Sequence, residues 1–306
     1  MTAEQFRLIE ERGGVVDLSD RAKFMISGAD RVRYLNGQVT NDVRHAKEDE
    51  VIYACVTNGK GRIEGDVFIH ASPLGGGCLM LDAEAGLRES LGARLEKYIV
   101  ADDVEIRDVT GEWRLLHAFG ATAEMSGARA RRFGVEGSDS WVPAADDLRS
   151  EIGDLKKDAV LLDADELEVL RIVRGVPRWP NELNADVFPQ EAGLENRAMD
   201  FFKGCYIGQE ILSRIKTTGR MPRVLLRWEL AERAELDRSQ PLLVFVRRED
   251  GSLQEAGVVT SATTHPVLDR PVGLAYVRQG LELADSVLLA TKETPNIARS
   301  AIIIRP

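Results

Sequence analysis

The sequence predicts an α+β chain in two units, a larger body over residues 1–220 and a small β-barrel over residues 221–306. Between Val51 and Val109 a hairpin, an amphipathic helix and a strand follow one another, the order of an α+β sheet with helices on one face. From Val224 onward six short apolar runs, LLRWEL, LLVFVRR, AGVVTSATT, VGLAYVR, SVLLAT and SAIIIRP, are separated by Pro, Asp-Gly and Gly, the spacing of a small barrel. The length of 306 residues, about twice a domain of ~100–200, agrees with two units.

Each element follows from local pattern. VVDLSDRAKFMI, residues 15–26, reads as two short strands, and Gly28-Ala29-Asp30 precedes a short helix carrying Val32 and Leu35 and ending at Gly37. In VIYACVTNGKGRIEGDVFIHA, residues 51–71, Ile52, Ala54 and Val56 alternate before Asn58-Gly59, and Val67 and Ile69 after it, which predicts a hairpin. Gly75-Gly76-Gly77 runs into CLMLDA instead of opening a helix, so it reads as a turn and not as a phosphate cradle. Leu87, Leu91, Leu95 and Tyr98 recur at helical spacing, and DDVEIRDV after them alternates like a strand. Residues 120–158 are polar and weakly periodic, and read as peripheral structure. Asp163 and Glu166 predict a capping box for ELEVLRIVRG, a helix stopped by Gly175 and Pro177. Residues 178–200, with Trp179, Pro180 and Pro189, read as an extended passage of the kind that lines sites.

Composition narrows the function. Forty Lys and Arg against fifty Asp and Glu leave a net charge of −10, which argues against a general nucleic-acid coat and predicts no direct nucleic-acid partner. Cys55, Cys78 and Cys205 are too few and too scattered for a disulfide framework or a CxxC metal site, and predict a reducing, cytoplasmic compartment. The first residues lack an apolar signal core and no run approaches a membrane span, so no membrane partner is predicted. His45, His70, His117 and His265 have no ligand spacing, and no bound metal is predicted.

The densest chemistry lies in FFKGCYIGQEILSRIKTTGRMPR, residues 201–223. Cys205 stands just ahead of a predicted helix start near Gln209, with Lys203 two residues back, and positive charge with oriented N–H groups stabilises a thiolate. On spacing alone Cys205 reads rather as a small buried hydrophobe, the commonest fate of an intracellular cysteine. From Lys203 to Arg227, however, six basic residues face one acid, a local +5 in a chain whose remainder carries −15, and this predicts an anion-binding wall.

KGCYIGQEILSR resembles the signature of the YgfZ family, folate-binding proteins similar to the glycine-cleavage T-protein (an aminomethyltransferase) and linked to iron–sulfur enzyme maintenance and tRNA modification. Lys203, Gly204, Cys205, Tyr206, Gly208, Gln209, Glu210 and Arg214 match it. DLSDRAKFMISGADRVRYLNGQVTNDV, with Asn41 in its Thr40-Asn41-Asp42, resembles the family's opening, and Pro189 to Leu194 a further shared segment. The resemblance implies a T-protein-like multidomain body around a central pocket with a C-terminal small β-barrel, and a tetrahydrofolate site in that pocket. It implies Cys205 and Asp66 as catalytic residues, and Lys203, Tyr206, Gln209, Glu210, Arg214, Glu191, Arg171, Asn41 and Arg223 as cofactor-binding residues. Tyr53, Trp179 and Tyr206 are candidate walls for the folate rings. In RIVRG, residues 171–175, Val173 stands where T-protein-like chains carry the pterin-reading glutamate, so either another carboxylate such as Glu191 or Glu195 substitutes, or the pocket binds something else or nothing. Of the T-protein acidic pair only Asp66 remains, behind Gly65.

The leading expectation is a folate-binding accessory protein for iron–sulfur client or assembly proteins, with Cys205 as its thiol. The alternatives are a tetrahydrofolate-dependent aminomethyl or one-carbon transferase and a binding scaffold with a degenerate pocket.

Overall fold

The structure is a computed structural model describing all residues except 72, 74, 76, 121–126, 147–158, 235, 237–239, 282–285, 292–298 and 305–306. Gly76 of the glycine run and much of the segment 120–158 lie outside the described residues. The described helices are α1 (Ala3–Arg12), α2 (Arg31–Gln38), α3 (Arg88–Glu96), α4 (Ala164–Val173), α5 (Glu195–Ala198) and α6 (Gln209–Thr218). The body strands are β1 (Gly14–Asp17), β2 (Ala22–Ser27), β3 (Ile52–Thr57), β4 (Ile63–Ala71), β5 (Leu79–Ala83), β6 (Glu105–Asp108), β7 (Trp113–Phe119), β8 (Ala128–Ala130), β9 (Gly137–Pro143) and β10 (Val160–Leu162).

Two five-stranded sheets form the body, in the orders β3-β4-β5-β2-β6 and β10-β1-β7-β9-β8. In the first sheet, alternation separates two faces. Ala22, Phe24, Ile26, Ala54, Val56, Val67, Ile69, Leu79 and Leu81 bury one face against Leu35 of α2 and Leu91 and Leu95 of α3. The residues between them, including Lys23, Tyr53, Asp66, Phe68, His70 and Asp82, share the other face, as the registers Tyr53–Phe68, Phe68–Asp82 and Lys23–Asp82 require. That second face looks toward the other sheet: His70 packs edge-on against Trp141 of β9 at 5.2 Å. The space between the sheets is therefore lined by polar and aromatic side chains.

The helix α1 carries a capping box, Thr2 with Gln5. The box predicted at Asp163 and Glu166 is formed, and α4 follows it. Residues 120–158 are not peripheral throughout. Strand β9 lies inside its sheet between β7 and β8, pairs with β7 over seven residues and contributes Asp139 to the interior. Its low hydrophobicity comes from that polar interior, which a periodicity argument reads as surface.

The last six strands, β11 (Arg223–Leu230), β12 (Leu242–Arg247), β13 (Leu253–Thr264), β14 (Pro271–Arg278), β15 (Ser286–Thr291) and β16 (Arg299–Ile304), close into a barrel. Leu226, Trp228 and Leu230 alternate into its core, where Trp228 is fully buried. A Cβ at Gly273 would lie 2.5 Å from the Trp228 ring, so only glycine fits there. A bulge between Val259 and Ser261 bends the long β13. The barrel is joined to the body by Tyr276, whose hydroxyl donates to the Glu182 carbonyl at 2.8 Å, and by Ser261, which bonds both Arg171 and Glu182. No described helix is long and apolar enough to cross a membrane.

Candidate functional site

Between the two sheets lies a cavity of about 150 Å³, lined by Tyr53, Asp66 and Phe68 from the first sheet and closed by Phe133, Arg178 and Arg197, among others. Tyr53 and Phe68 are direct cross-strand partners with rings stacked at 4.5 Å, a flat wall made by the hairpin register. Asp66 lies diagonally beside Tyr53, whose hydroxyl donates to its Oδ2 at 3.1 Å. Its Oδ1 is buried without a hydrogen-bond partner. Burial pushes the Asp66 carboxyl up to about 6 against the pull of Arg21, which poises it for proton exchange near neutral pH. A second cleft, about 470 Å³, shares Tyr53, Phe68 and Arg197 with the cavity and adds Asn41, Lys47 and Arg131.

Behind Phe68 runs a buried charge network. The Arg132 guanidinium lies 3.9 Å from the Phe68 ring centre and donates to both Asp82 and Asp139. Arg21 donates from Nε to Asp82 at 2.5 Å and from Nη1 to Glu84 at 2.8 Å. Burial, the largest single effect, would raise Asp82 and Asp139, but their partners together outweigh it, Arg132 and Arg21 at Asp82 and Arg132 with the His117 hydrogen bond at Asp139, and hold both below the ordinary carboxylate range. Burial lowers His117 and keeps it neutral, with Nδ1 placed 2.7 Å from Asp139. His70, Asp82 and Asp139 bring ligand atoms within 4.8 Å of one another, but the two carboxylates are already paired with two guanidinium groups, Arg132 and Arg21.

The residues expected at the site scatter. Asp66 and Arg171 line the cavity and Asn41 lines the adjoining cleft. Arg171 is committed to Glu168, Glu182 and Ser261. Lys203 is buried, and its ammonium donates to the carbonyls of Asn36, Val39 and Asn41 at 2.6, 2.7 and 2.7 Å, clamping the end of α2. Burial brings it down to about 8, still protonated at neutral pH. Tyr206 is buried in a separate apolar cluster, and the Gln209 side chain accepts from the Tyr206 backbone N–H. Gly208, with φ +88°, sits on the β3–β4 turn, where a Cβ would meet the Asn58 carbonyl at 2.6 Å. Glu191 is buried between Arg62, Arg223 and the Phe188 N–H, where it joins body and barrel. Cys205, Glu210 and Arg214 are exposed and line neither cavity nor cleft.

The +5 segment builds no wall. Lys203 is internal, Lys216 pairs with Glu195, Arg223 stacks on Tyr276, and Arg227 bonds the Val173 carbonyl. Val173 itself packs in the apolar cluster around Leu170 and Phe6. Trp179 packs into the apolar clusters beneath the first sheet and beside Tyr276, away from the cavity. The cations at the cavity are Arg21, Arg132, Arg171, Arg178 and Arg197. Four of them went unread: Arg178 and Arg197 fall in the passage flagged as site-lining, whereas Arg21 and Arg132 have no local signal beyond charge beside a strand.

The GCVT N-terminal domain matches residues 1–128. A solved glycine cleavage system aminomethyltransferase T from Bartonella henselae superposes with a TM-score of 0.79 at 18% identity, covering 99% of this chain and 88% of that one, and shows the shared fold. An iron–sulfur cluster assembly factor IBA57 homolog, mitochondrial, from Mycosarcoma maydis is 28% identical over 65% of this chain but only 53% of its own length, so the chain spans about half of that relative. An aminomethyltransferase of Rubrobacter xylanophilus is 28% identical over 94% of this chain and 82% of its own length. The tRNA-modifying protein YgfZ of Aliivibrio fischeri is 28% identical over 67% of each chain. Over residues 1–128 the chain thus carries a GCVT N-terminal domain, and as a whole it has the T-protein fold.

Proposed function

We propose that the protein is a cytoplasmic, tetrahydrofolate-binding accessory factor that supports assembly or repair of iron–sulfur cluster enzymes, with Cys205 as its working thiol. The observation that carries the reading is Asp66, a carboxylate with one unpartnered oxygen in a cavity walled by stacked aromatics and rimmed by arginines. A reduced pterin asks for that combination: an acceptor for its N–H edge, a flat wall for its ring, and cations for a glutamate tail. Tyr53 and Phe68 supply the wall, Asp66 the acceptor in place of the missing carboxylate at Val173, and Arg178, Arg197 and the cleft's Lys47 and Arg131 the cations. Bound tetrahydrofolate supplies a carrier for one-carbon groups. Cys205 faces solvent beside Phe202, which is 99% exposed, so its thiol acts outward on a partner or on a cluster in transit.

The test is calorimetric titration with tetrahydrofolate and its polyglutamates, together with a Cys205→Ser variant in cells lacking the protein. Binding that weakens with salt, and loss of rescue of iron–sulfur enzyme activity by a normally folded variant, are expected. Absence of binding leaves a scaffold with a degenerate pocket, and full rescue by Cys205→Ser removes the thiol from the mechanism. A second reading, transfer of an aminomethyl or one-carbon group onto tetrahydrofolate, draws support from the Asp66 carboxyl near 6. It requires turnover with an aminomethyl donor that disappears in Asp66→Asn.

A further inference from the structure

Asp66 is not the only unmatched group at the cavity. Arg21 also lines it, its side chain is 9% exposed, and its Nη2 is buried without a partner. Asp82 at Nε and Glu84 at Nη1 fix the plane of the guanidinium and leave the Nη2 N–H groups over. Two side chains that line the cavity thus each carry a buried, unpartnered polar atom, one a donor and one an acceptor, and each is held by its own neighbours.

We propose that Arg21 and Asp66 act together as a reader of a cyclic-amide edge, Asp66 Oδ1 accepting from a ring N–H and Arg21 Nη2 donating to the adjacent ring carbonyl. The inference rests on the folate reading, since the pyrimidinone ring of a pterin carries that edge, and it assigns Arg21 as a specificity-determining residue. Three observations support it. Both polar atoms are buried without a protein partner, so a ligand that pairs them satisfies both, and an analogue lacking either group leaves one unpaired and is rejected. The Tyr53–Phe68 stack beside them is flat, and the Arg21 guanidinium carbon lies 5.7 Å from the Phe68 ring centre, which selects a planar ring over a flexible amide. Arg21 and Asp66 are also within electrostatic reach, because Arg21 is the chief opponent of the rise that burial causes at Asp66. An anionic head group would fit Arg21 but meet Asp66 as a like charge, so the pair disfavours a simple carboxylate or phosphate.

Guanine presents the same edge on another scaffold, so the experiment separates the two sources. Full-length protein is titrated with tetrahydrofolate, a tail-less tetrahydropterin, guanosine and p-aminobenzoylglutamate, using wild type, Arg21→Lys and Asp66→Asn, with thermal unfolding as a folding check. Arg21→Lys keeps the charge but loses the fork, and Asp66→Asn replaces the acceptor by a near-isostere, so the second variant carries the test where the first fails to fold. The expected result is that the tetrahydropterin and tetrahydrofolate bind and each variant weakens both by about tenfold or more, with p-aminobenzoylglutamate unaffected. Guanosine binding that the variants weaken, without pterin binding, upholds the pair and overturns the folate reading. Tetrahydrofolate binding that neither variant changes overturns the pair and leaves the folate reading standing. No binding of any of the four ligands overturns both.

Discussion

Replacing Asp66 by Asn should make the protein more stable at neutral pH, and the gain should depend on pH. Burial raises this carboxyl from its ordinary 3.8 to about 6. At about 1.4 kcal/mol per pH unit, the difference corresponds to about 3 kcal/mol between the two protonation states. The native state binds the extra proton between the two values, so the stabilising contribution is fully present below about 3.8 and is lost as pH rises through about 6. Asn does not titrate. It keeps an acceptor for the Tyr53 hydroxyl but buries an N–H without a partner, at a cost of about 1 kcal/mol. The variant is therefore expected to gain about 2 kcal/mol at pH 7.5, a Tm rise of ~4 °C, and to be the less stable protein at pH 4. Thermal unfolding of both proteins from pH 4 to 8 reads this directly. A Tm difference that does not change across that range would refute the assignment of a raised, buried carboxyl.

Four further outcomes follow from the geometry. Cys205 is exposed while Cys55 and Cys78 are buried, so a thiol reagent should label one cysteine per native chain, and the other two only on unfolding. Lys203→Met removes the donor from three carbonyls and should lower stability by about 3 kcal/mol in urea unfolding, a loss that no purely ligand-binding lysine would show. Arg132→Met leaves Asp82 and Asp139 buried without their shared partner and should cost about 3–5 kcal/mol, read as a fall in Tm that acid partly relieves by protonating the pair. Gly208→Ala places a Cβ against the Asn58 carbonyl at positive φ and should cost about 1–3 kcal/mol in the same assay while leaving the barrel's near-ultraviolet signal intact.

The motif KGCYIGQE shows why a strong sequence signal need not mark a binding wall. Most of its residues secure one turn: Lys203 holds the end of α2, Gly208 lies on the hairpin tip, Gln209 closes on Tyr206, and Thr57 donates to the Ile207 carbonyl. What the turn leaves in solvent is Cys205, with Glu210 and Arg214 on the helix behind it. Charge counted along the chain summed the basic residues into one segment, whereas in space their partners come from α2, α4, α5 and the barrel. Asp66 was legible through the resemblance to the T-protein acidic pair, and the alternation of Val67 and Ile69 agrees with its place on the opposite face of the strand.

By itself the sequence determined what depends on near neighbours: the hairpin at Asn58-Gly59, the capped helix after Asp163, the six-strand barrel, and the sidedness that puts Tyr53, Asp66 and Phe68 together. Tertiary structure alone decided which charges meet. Arg21, Arg132, Asp82 and Asp139 come from four separate strands and loops, and their pairing is set by how the two sheets face each other. Periodicity carries information about faces because burial of apolar surface acts residue by residue. The matching of buried charges is a property of long-range contacts, and no local pattern contains it.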